Sequence, residues 1–335
     1  MTAQSNADTL ITIFGGSGFL GRHVVRALAK REYRIRVAVR RPDLAGFLQP
    51  LGRVGQIHAV QANVRNRTSV AEAARGSDVV INLVGILFET GRQSFEAVQA
   101  LGAESVALAA AAEGAAMIQV SAIGADPHSP SAYARAKAEG ERLVLAATPQ
   151  ATIFRPSIIF GPNDDFFNRF AALARVSPVL PLIGGGETRL QPVFAGDVAE
   201  AIAKAVSGEA KPATVYELGG PEVLTFKALM EYVLATIQRR RLLVPVPFWA
   251  AKFQAFFFEL LSAIPLLGEL PSMKTPMLTR DQVDLLRVDN VVSEAAQSEG
   301  RTLEGLGLVP RSIEAIVPSY LWRFRKTGQF HGRVA

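Results

Sequence analysis

Apolar positions along this chain switch repeatedly between two periods. Ile11-Thr12-Ile13-Phe14 is a short β-branched run, and Val24, Val25, Leu28 and Ala29 then fall on one helical stripe. Arg34 to Arg41 alternates as a second strand that stops at Pro42. Gln56 to Val64 predicts a third strand, and Thr68 to Arg75 a short helix. Asp78 to Leu87 is almost unbroken apolar sequence, the pattern of a central parallel strand covered on both faces. Phe95 to Glu113 predicts an alanine-rich helix, Ala116 to Ser121 a strand, and Ser129 to Leu145 a turn running into a helix. This regular alternation predicts an α/β fold with a doubly wound parallel sheet.

The later half is patterned less regularly. Val193 to Val206 predicts a turn into a helix that Asp197 caps, and Val215 to Leu218 a further strand. Thr225 to Arg241 predicts a helix ending in three arginines. Between Pro247 and Pro265, the stretch Trp249–Ile264 repeats Trp249, Phe253, Phe256, Phe257, Leu260, Leu261 and Ile264 at helical spacing. It suits a core, a partner's groove or a lipid headgroup interface. It is too short to span a bilayer, and no run in the chain reaches the roughly 18 apolar residues needed.

The link between the first strand and helix is Gly15-Gly16-Ser17-Gly18-Phe19-Leu20-Gly21. Glycines at three-residue spacing there serve a sharp turn, backbone approach to a pyrophosphate, and close helix–sheet packing. The following helix N-terminus offers N–H groups and a positive dipole end to phosphates. Gly15, Ser17, Gly18, Phe19, Leu20 and Gly21 are therefore candidate cofactor contacts. At the end of the second strand, where an acidic residue would bind a ribose 2′-hydroxyl, the chain has Arg40 and Arg41. Guanidinium groups there suit a 2′-phosphate, so the expected cofactor is NADP(H); a merely solvated basic strand end is the alternative. Asn63, followed by Val64, lies where an adenine contact or a plain turn residue would. Val84 and Gly85 end the apolar run, Gly85 marking close backbone approach.

Tyr133 and Lys137 stand four apart on the predicted helix and so share a face. A nearby ammonium favours the phenolate, giving an acid/base pair near neutral pH. Ser121, at a strand end, could hold a substrate carbonyl or hydroxyl. The alternative is that the pair only binds the nicotinamide ribose.

Composition narrows the classes. The chain has 335 residues with 49% hydrophobic and 20% charged content, enough for a substantial core. Cysteine is absent, which excludes disulfides and thiol nucleophiles. His23, His58, His128 and His331 show no metal-ligand spacing, and no metal is expected. There is no Gly-x-Ser-x-Gly elbow and no P-loop lysine pattern. The net charge of +6 suits anionic lipid or an acidic protein more than nucleic acid, because the basic residues are scattered. Residues 1–8 read as a polar tail without a signal sequence.

The motifs together resemble the short-chain dehydrogenase/reductase superfamily, in its extended and atypical branches. They are Gly15/Gly18/Gly21, Ser121–Tyr133–Lys137, Arg155-Pro156-Ser157-Ile158-Ile159-Phe160-Gly161-Pro162, Gln191 to Ala199 and Tyr216 to Pro221. Asn82-Leu83-Val84-Gly85, Val120 to Ala125 and Ala136 to Glu141 resemble the NADPH-binding accessory subunits of respiratory complex I and their bacterial relatives. Phe14 departs from the small residue usual before the first glycine, and Val98-Gln99 from an asparagine that helps order the active site.

The resemblance implies a Rossmann-type doubly wound sheet with a smaller, partly discontinuous C-terminal lobe. Residues 9–165 would form the NADP-binding domain, with a return at about 190–220; 166–189 and 221–335 would form the lobe. It implies Pro156 as a further cofactor contact. Asp164, Asp165, Arg189 and Gln191 could border a substrate pocket, the alternative being plain solvated loop side chains. The resemblance also implies a location peripheral to the inner face of the cytoplasmic membrane, docked on respiratory-complex subunits or on lipid through Trp249–Ile264. Two functions follow: a binding protein that holds NADPH structurally, or an active NADP-dependent oxidoreductase using Tyr133 and Lys137, as the resemblance to members of the branch linked to ubiquinone metabolism implies.

Overall fold

The computed structural model describes residues 6–262, 278–326 and 328. Ile264, residues 1–5 of the expected tail and part of the expected lobe lie outside these.

The first strand, β1 (Leu10–Phe14), is followed by α1 (Phe19–Ala29), β2 (Arg34–Val39), β3 (Ile57–Gln61), α2 (Arg67–Ala74) and β4 (Val79–Asn82). Then come α3 (Leu101–Glu113), β5 (Ala116–Val120), α4 (Ala132–Ala147) and β6 (Thr152–Pro156). A short β7 (Ile159–Phe160), α5 (Phe166–Val176), β8 (Val179–Ile183), β9 (Arg189–Leu190) and β10 (Val193–Phe194) lead to α6 (Ala195–Val206) and β11 (Val215–Leu218). The remainder carries β12 (Leu224–Thr225), α7 (Phe226–Thr236), β13 (Leu242–Val246), α8 (Phe248–Ser262), α9 (Arg280–Leu285) and short helical turns.

Seven strands form one sheet in the order β11-β6-β5-β4-β1-β2-β3, and every neighbouring pair is parallel. The expected doubly wound sheet is therefore present. Strand order reverses between β1 and β4, and a ligand crevice opens at such a switch point, beyond the carboxyl ends of the strands. Both faces of the sheet are covered. On one, Ile11, Ile13, Val24, Leu28 and Ile202 pack α1 and α6 down. On the other, Phe14, Val70, Val80, Val106 and Met117 do the same for α2 to α4. Phe14 fills this second layer at 1% exposure, which accounts for a large residue before the glycine turn.

Several expected elements are trimmed. β4 stops at Asn82, whose side chain bonds Gln119 and the Val84 amide, so the apolar run to Leu87 leaves the sheet early. The helix expected over Phe95–Glu113 is split: a wider π-turn over Glu96–Ala100 precedes α3. The helix expected to Arg241 ends at Thr236, since Arg239 and Arg241 turn inward to the carbonyls of Phe324 and Ala174.

A further hydrophobic cluster joins Phe160, Phe167, Leu180, Phe226, Leu229 and Leu321. Beside it, Ile183, Ala251, Ala255 and Val283 fasten α8 and α9 to the end of β8.

Candidate functional site

The switch point places the glycine turn where β1 ends. Gly15 sits at φ +81°, and a Cβ there would lie 3.2 Å from the Val84 amide nitrogen. Val84 thus faces the turn across the β1–β4 crevice. A Cβ at Gly21 would come within 2.5 Å of the carbonyl oxygens of Gly15 and Gly16, so only glycine lets α1 start this close to the strand. Gly18 precedes Phe19 and Leu20 with no side-chain cap and no acidic residue in the first turn of α1. The unshared N–H groups of that turn suit an anion.

Arg40 and Arg41 both follow β2, but they turn apart. Arg40 donates to the Gln93 side-chain oxygen at 2.6 Å. Arg41 forks onto Asp43 at 2.9 and 3.4 Å, on the surface. Asn63 lies in the turn after β3, its side-chain oxygen accepting from the Arg65 amide. Val64 is buried against α3, so only its backbone is left to meet a ligand. Pro156 ends β6, and its carbonyl accepts from the Ile123 amide.

Ser121, Tyr133 and Lys137 are drawn together at the carboxyl end of β5. Ser121 is buried and its Oγ has no hydrogen-bond partner. Lys137 Nζ lies 5.8 Å from the Tyr133 ring centre and donates to the Val120 carbonyl at 3.4 Å. A Cβ on Gly85 would sit 3.5 Å from the same Nζ and 3.7 Å from Gln99 Oε1. Gln99 is buried with both amide atoms unpartnered. The π-turn carries it inward, and Gly140 of α4 leaves room for its carbonyl oxygen. Orphaned polar atoms on Ser121 and Gln99, a buried lysine beside Val120 and a glycine cradle at the switch point together fit an extended polar ligand.

Charge at this centre is set by burial. Burial pushes the Tyr133 phenol up to about 12, and the Asp281 carboxylate adds to the rise. Burial brings Lys137 down to about 8 against the pull of Glu141.

Asp281 was not among the expected site residues. It accepts from Ser131 Oγ at 2.8 Å, from the Ala132 amide at 2.6 Å and from the Tyr133 amide at 3.4 Å. A carboxylate from α9 thus caps the helix that carries the tyrosine. The one trace in the sequence was Thr279-x-x-Gln282, a capping box that marks the start of α9.

Residues proposed for a substrate border are dispersed. Asp164 is buried and accepts from Tyr320 Oη at 2.6 Å, and Arg189 pairs with Asp289 at 2.8 Å. Asp165 directly precedes α5 and makes no side-chain cap. Gln191 and Gly219 line a cavity of about 290 Å³ with Val292, Gln297, Thr302 and Glu304. Asp197 does not cap α6 as expected; its carboxylate is drawn to Arg311, accepting from the amide at 2.7 Å. Among the described residues no cluster could hold a metal.

The NAD dependent epimerase/dehydratase family profile matches residues 11–219. The chain belongs to that family. Among its family relatives is the NADH dehydrogenase [ubiquinone] 1 alpha subcomplex subunit 9, mitochondrial, of Arabidopsis thaliana. The two are 36% identical over 334 residues, covering 98% of this chain and 81% of that one. A ceramide reductase of Caulobacter vibrioides is 38% identical over 179 residues, covering 53% and 55%. In fold, the epimerase/dehydratase chain matches the NADPH-dependent quinone oxidoreductase QOR2 of Escherichia coli. That match has a TM-score of 0.69 and 21% identity, covering 93% and 99%. The likeness drawn from the motifs is borne out.

Proposed function

We propose that this protein is an accessory subunit of respiratory complex I that holds NADPH structurally, peripheral to the inner face of the cytoplasmic membrane. Similarity over nearly the whole chain to a named complex I subunit supports the partner. The observation that carries the structural role is the Asp281 cap. It binds the amide end of the helix that carries Tyr133, and its charge adds to the burial that raises the phenol, leaving a weaker acid for any proton transfer to substrate.

In this reading Gly15, Ser17, Gly18, Phe19, Leu20 and Gly21 cradle the diphosphate, and Arg40 reaches the 2′-phosphate. Lys137 holds the nicotinamide ribose, while Gly85 and Pro156 bound the pocket. Trp249, Phe253, Phe256 and Phe257 are exposed on α8. Arg280 and Arg287 stack on Phe256 and Phe248 and are paired with Glu259 and Asp284, so the exposed aromatic side chains are what supports docking on a lipid surface.

A second reading, an active NADP-dependent oxidoreductase, is favoured by the unpartnered Ser121 Oγ and by the partial match to a ceramide reductase. The nicotinamide would supply hydride. Tyr133 Oη would give its proton to the substrate oxygen, and Ser121 would orient that oxygen.

Purification from native membranes decides between them. The expected result is NADPH bound one per chain, with respiratory-complex subunits co-eluting. Recovery as a free monomer that oxidises NADPH with a quinone or carbonyl compound would reverse the order. Arg40→Asp should weaken NADPH at least ~10-fold relative to NADH; equal affinity of the wild type for both would remove the NADP preference.

A further inference from the structure

The cations around the end of β2 are mostly engaged with the protein. Arg41 is forked onto Asp43, Arg65 donates to the Arg92 carbonyl at 2.8 Å, and Arg36 to the carbonyls of Ala73 and Arg75 at 2.7 Å. Arg22 differs. It lies one residue beyond Gly21, so the first turn of α1 anchors it beside the glycine cradle. Its guanidinium carbon stands 5.0 Å above the ring of Phe47, in the short helical turn Gly46–Leu51 that follows β2. Its Nε is buried and has no hydrogen-bond partner.

A buried donor without an acceptor costs free energy until an acceptor reaches it. Stacking on Phe47 holds the flat of the guanidinium and leaves its N–H edge to meet a ligand. The aromatic ring belongs to the connection just past β2, the place where a dinucleotide-binding sheet meets the adenosine ribose. Arg40 approaches the same place from the strand end and is held by one neutral partner, Gln93, which an anion can displace.

We propose that Arg22 selects a 2′-phosphorylated adenine nucleotide, gripping the phosphate from the α1 side while Arg40 meets it from the end of β2. The inference rests on the nucleotide reading of the glycine turn. It names a residue that lies outside the usual window about 20 positions beyond the glycines.

Isothermal titration of the full chain with 2′,5′-ADP and with 5′-AMP tests it, since the two probes differ only in the 2′-phosphate. Arg22→Leu should lose about tenfold or more in affinity for 2′,5′-ADP and keep its affinity for 5′-AMP. Arg22→Lys should fall between wild type and Arg22→Leu, because an ammonium keeps the charge without the fork. Arg26→Leu, exposed one turn further along α1, should change neither. Wild-type affinity of Arg22→Leu for 2′,5′-ADP overturns the proposal. So does a parallel loss of both probes, which would assign Arg22 to the diphosphate or to packing. A wild type that binds neither probe removes the nucleotide reading itself.

Discussion

Tyr133 and Lys137 show how little a side chain's ordinary chemistry says about its behaviour in place. Their i, i+4 spacing was legible, and so was the face they share. Their charge states were not, because both follow from burial. At pH 7 the phenol is protonated and the lysine charged. Tyr133 is raised from its usual value near 10, so its stabilising contribution holds below pH 10 and is lost as pH rises through about 12. Lys137 is lowered from 10.5, so its buried charge opposes folding below about pH 8 and that cost fades as pH rises from 8 towards 10.5. Subtracting the ultraviolet titration of Tyr133→Phe from that of wild type should isolate a midpoint near 12. Asp281→Asn should lower it but leave it above 10, burial being the larger cause. A wild-type midpoint at or below 10 would remove the argument for a silent centre.

Among the elements, α8 departs most from a globular norm. Its periodicity was visible, but a stripe of large apolar residues reads the same whether it faces a core or a partner. The folded chain buries the small residues Ala251 and Ala255 against Ile183 and Val283 instead. Trp249 is left 74% and Phe253 64% exposed, which rules out the core reading for these two. Lys252 and Arg280 are tied to Asp284 and Glu259 at 2.7 and 2.8 Å, so the aromatic side chains supply most of the docking surface. Full-length protein should therefore co-sediment with lipid vesicles and keep most of that binding at high salt. A Trp249→Ser, Phe253→Ser double variant should lose most of that binding with little change in thermal midpoint. An equal loss of stability would mean these rings are packed after all.

Across the whole molecule, late segments return repeatedly to the strand ends. Tyr320 bonds Asp164, Arg311 pairs with Asp197, Asn290 accepts from Ser157 Oγ at 2.6 Å, and Asp281 caps α4. A ligand in the crevice therefore touches a site that distant parts of the chain help to hold. NADPH at a hundredfold excess over its dissociation constant should stabilise the fold by roughly 2.7 kcal/mol. Thermal unfolding should show the midpoint rising by several degrees, and by less with NADH at the same free concentration. No shift with either nucleotide would argue that the crevice does not bind them.

What the sequence by itself determined is whatever depends on neighbours in the chain. The alternation of periods, the glycine spacing of the turn and the Tyr133–Lys137 face are local, so backbone geometry alone makes them readable. Tertiary structure alone decided the rest. Asp281 reaches α4 across about 150 positions, Arg22 Nε is buried without a hydrogen-bond partner, and α8 turns its alanines inward. Each of these outcomes depends on which surfaces pack together and which groups lose water, and no period in the chain encodes that.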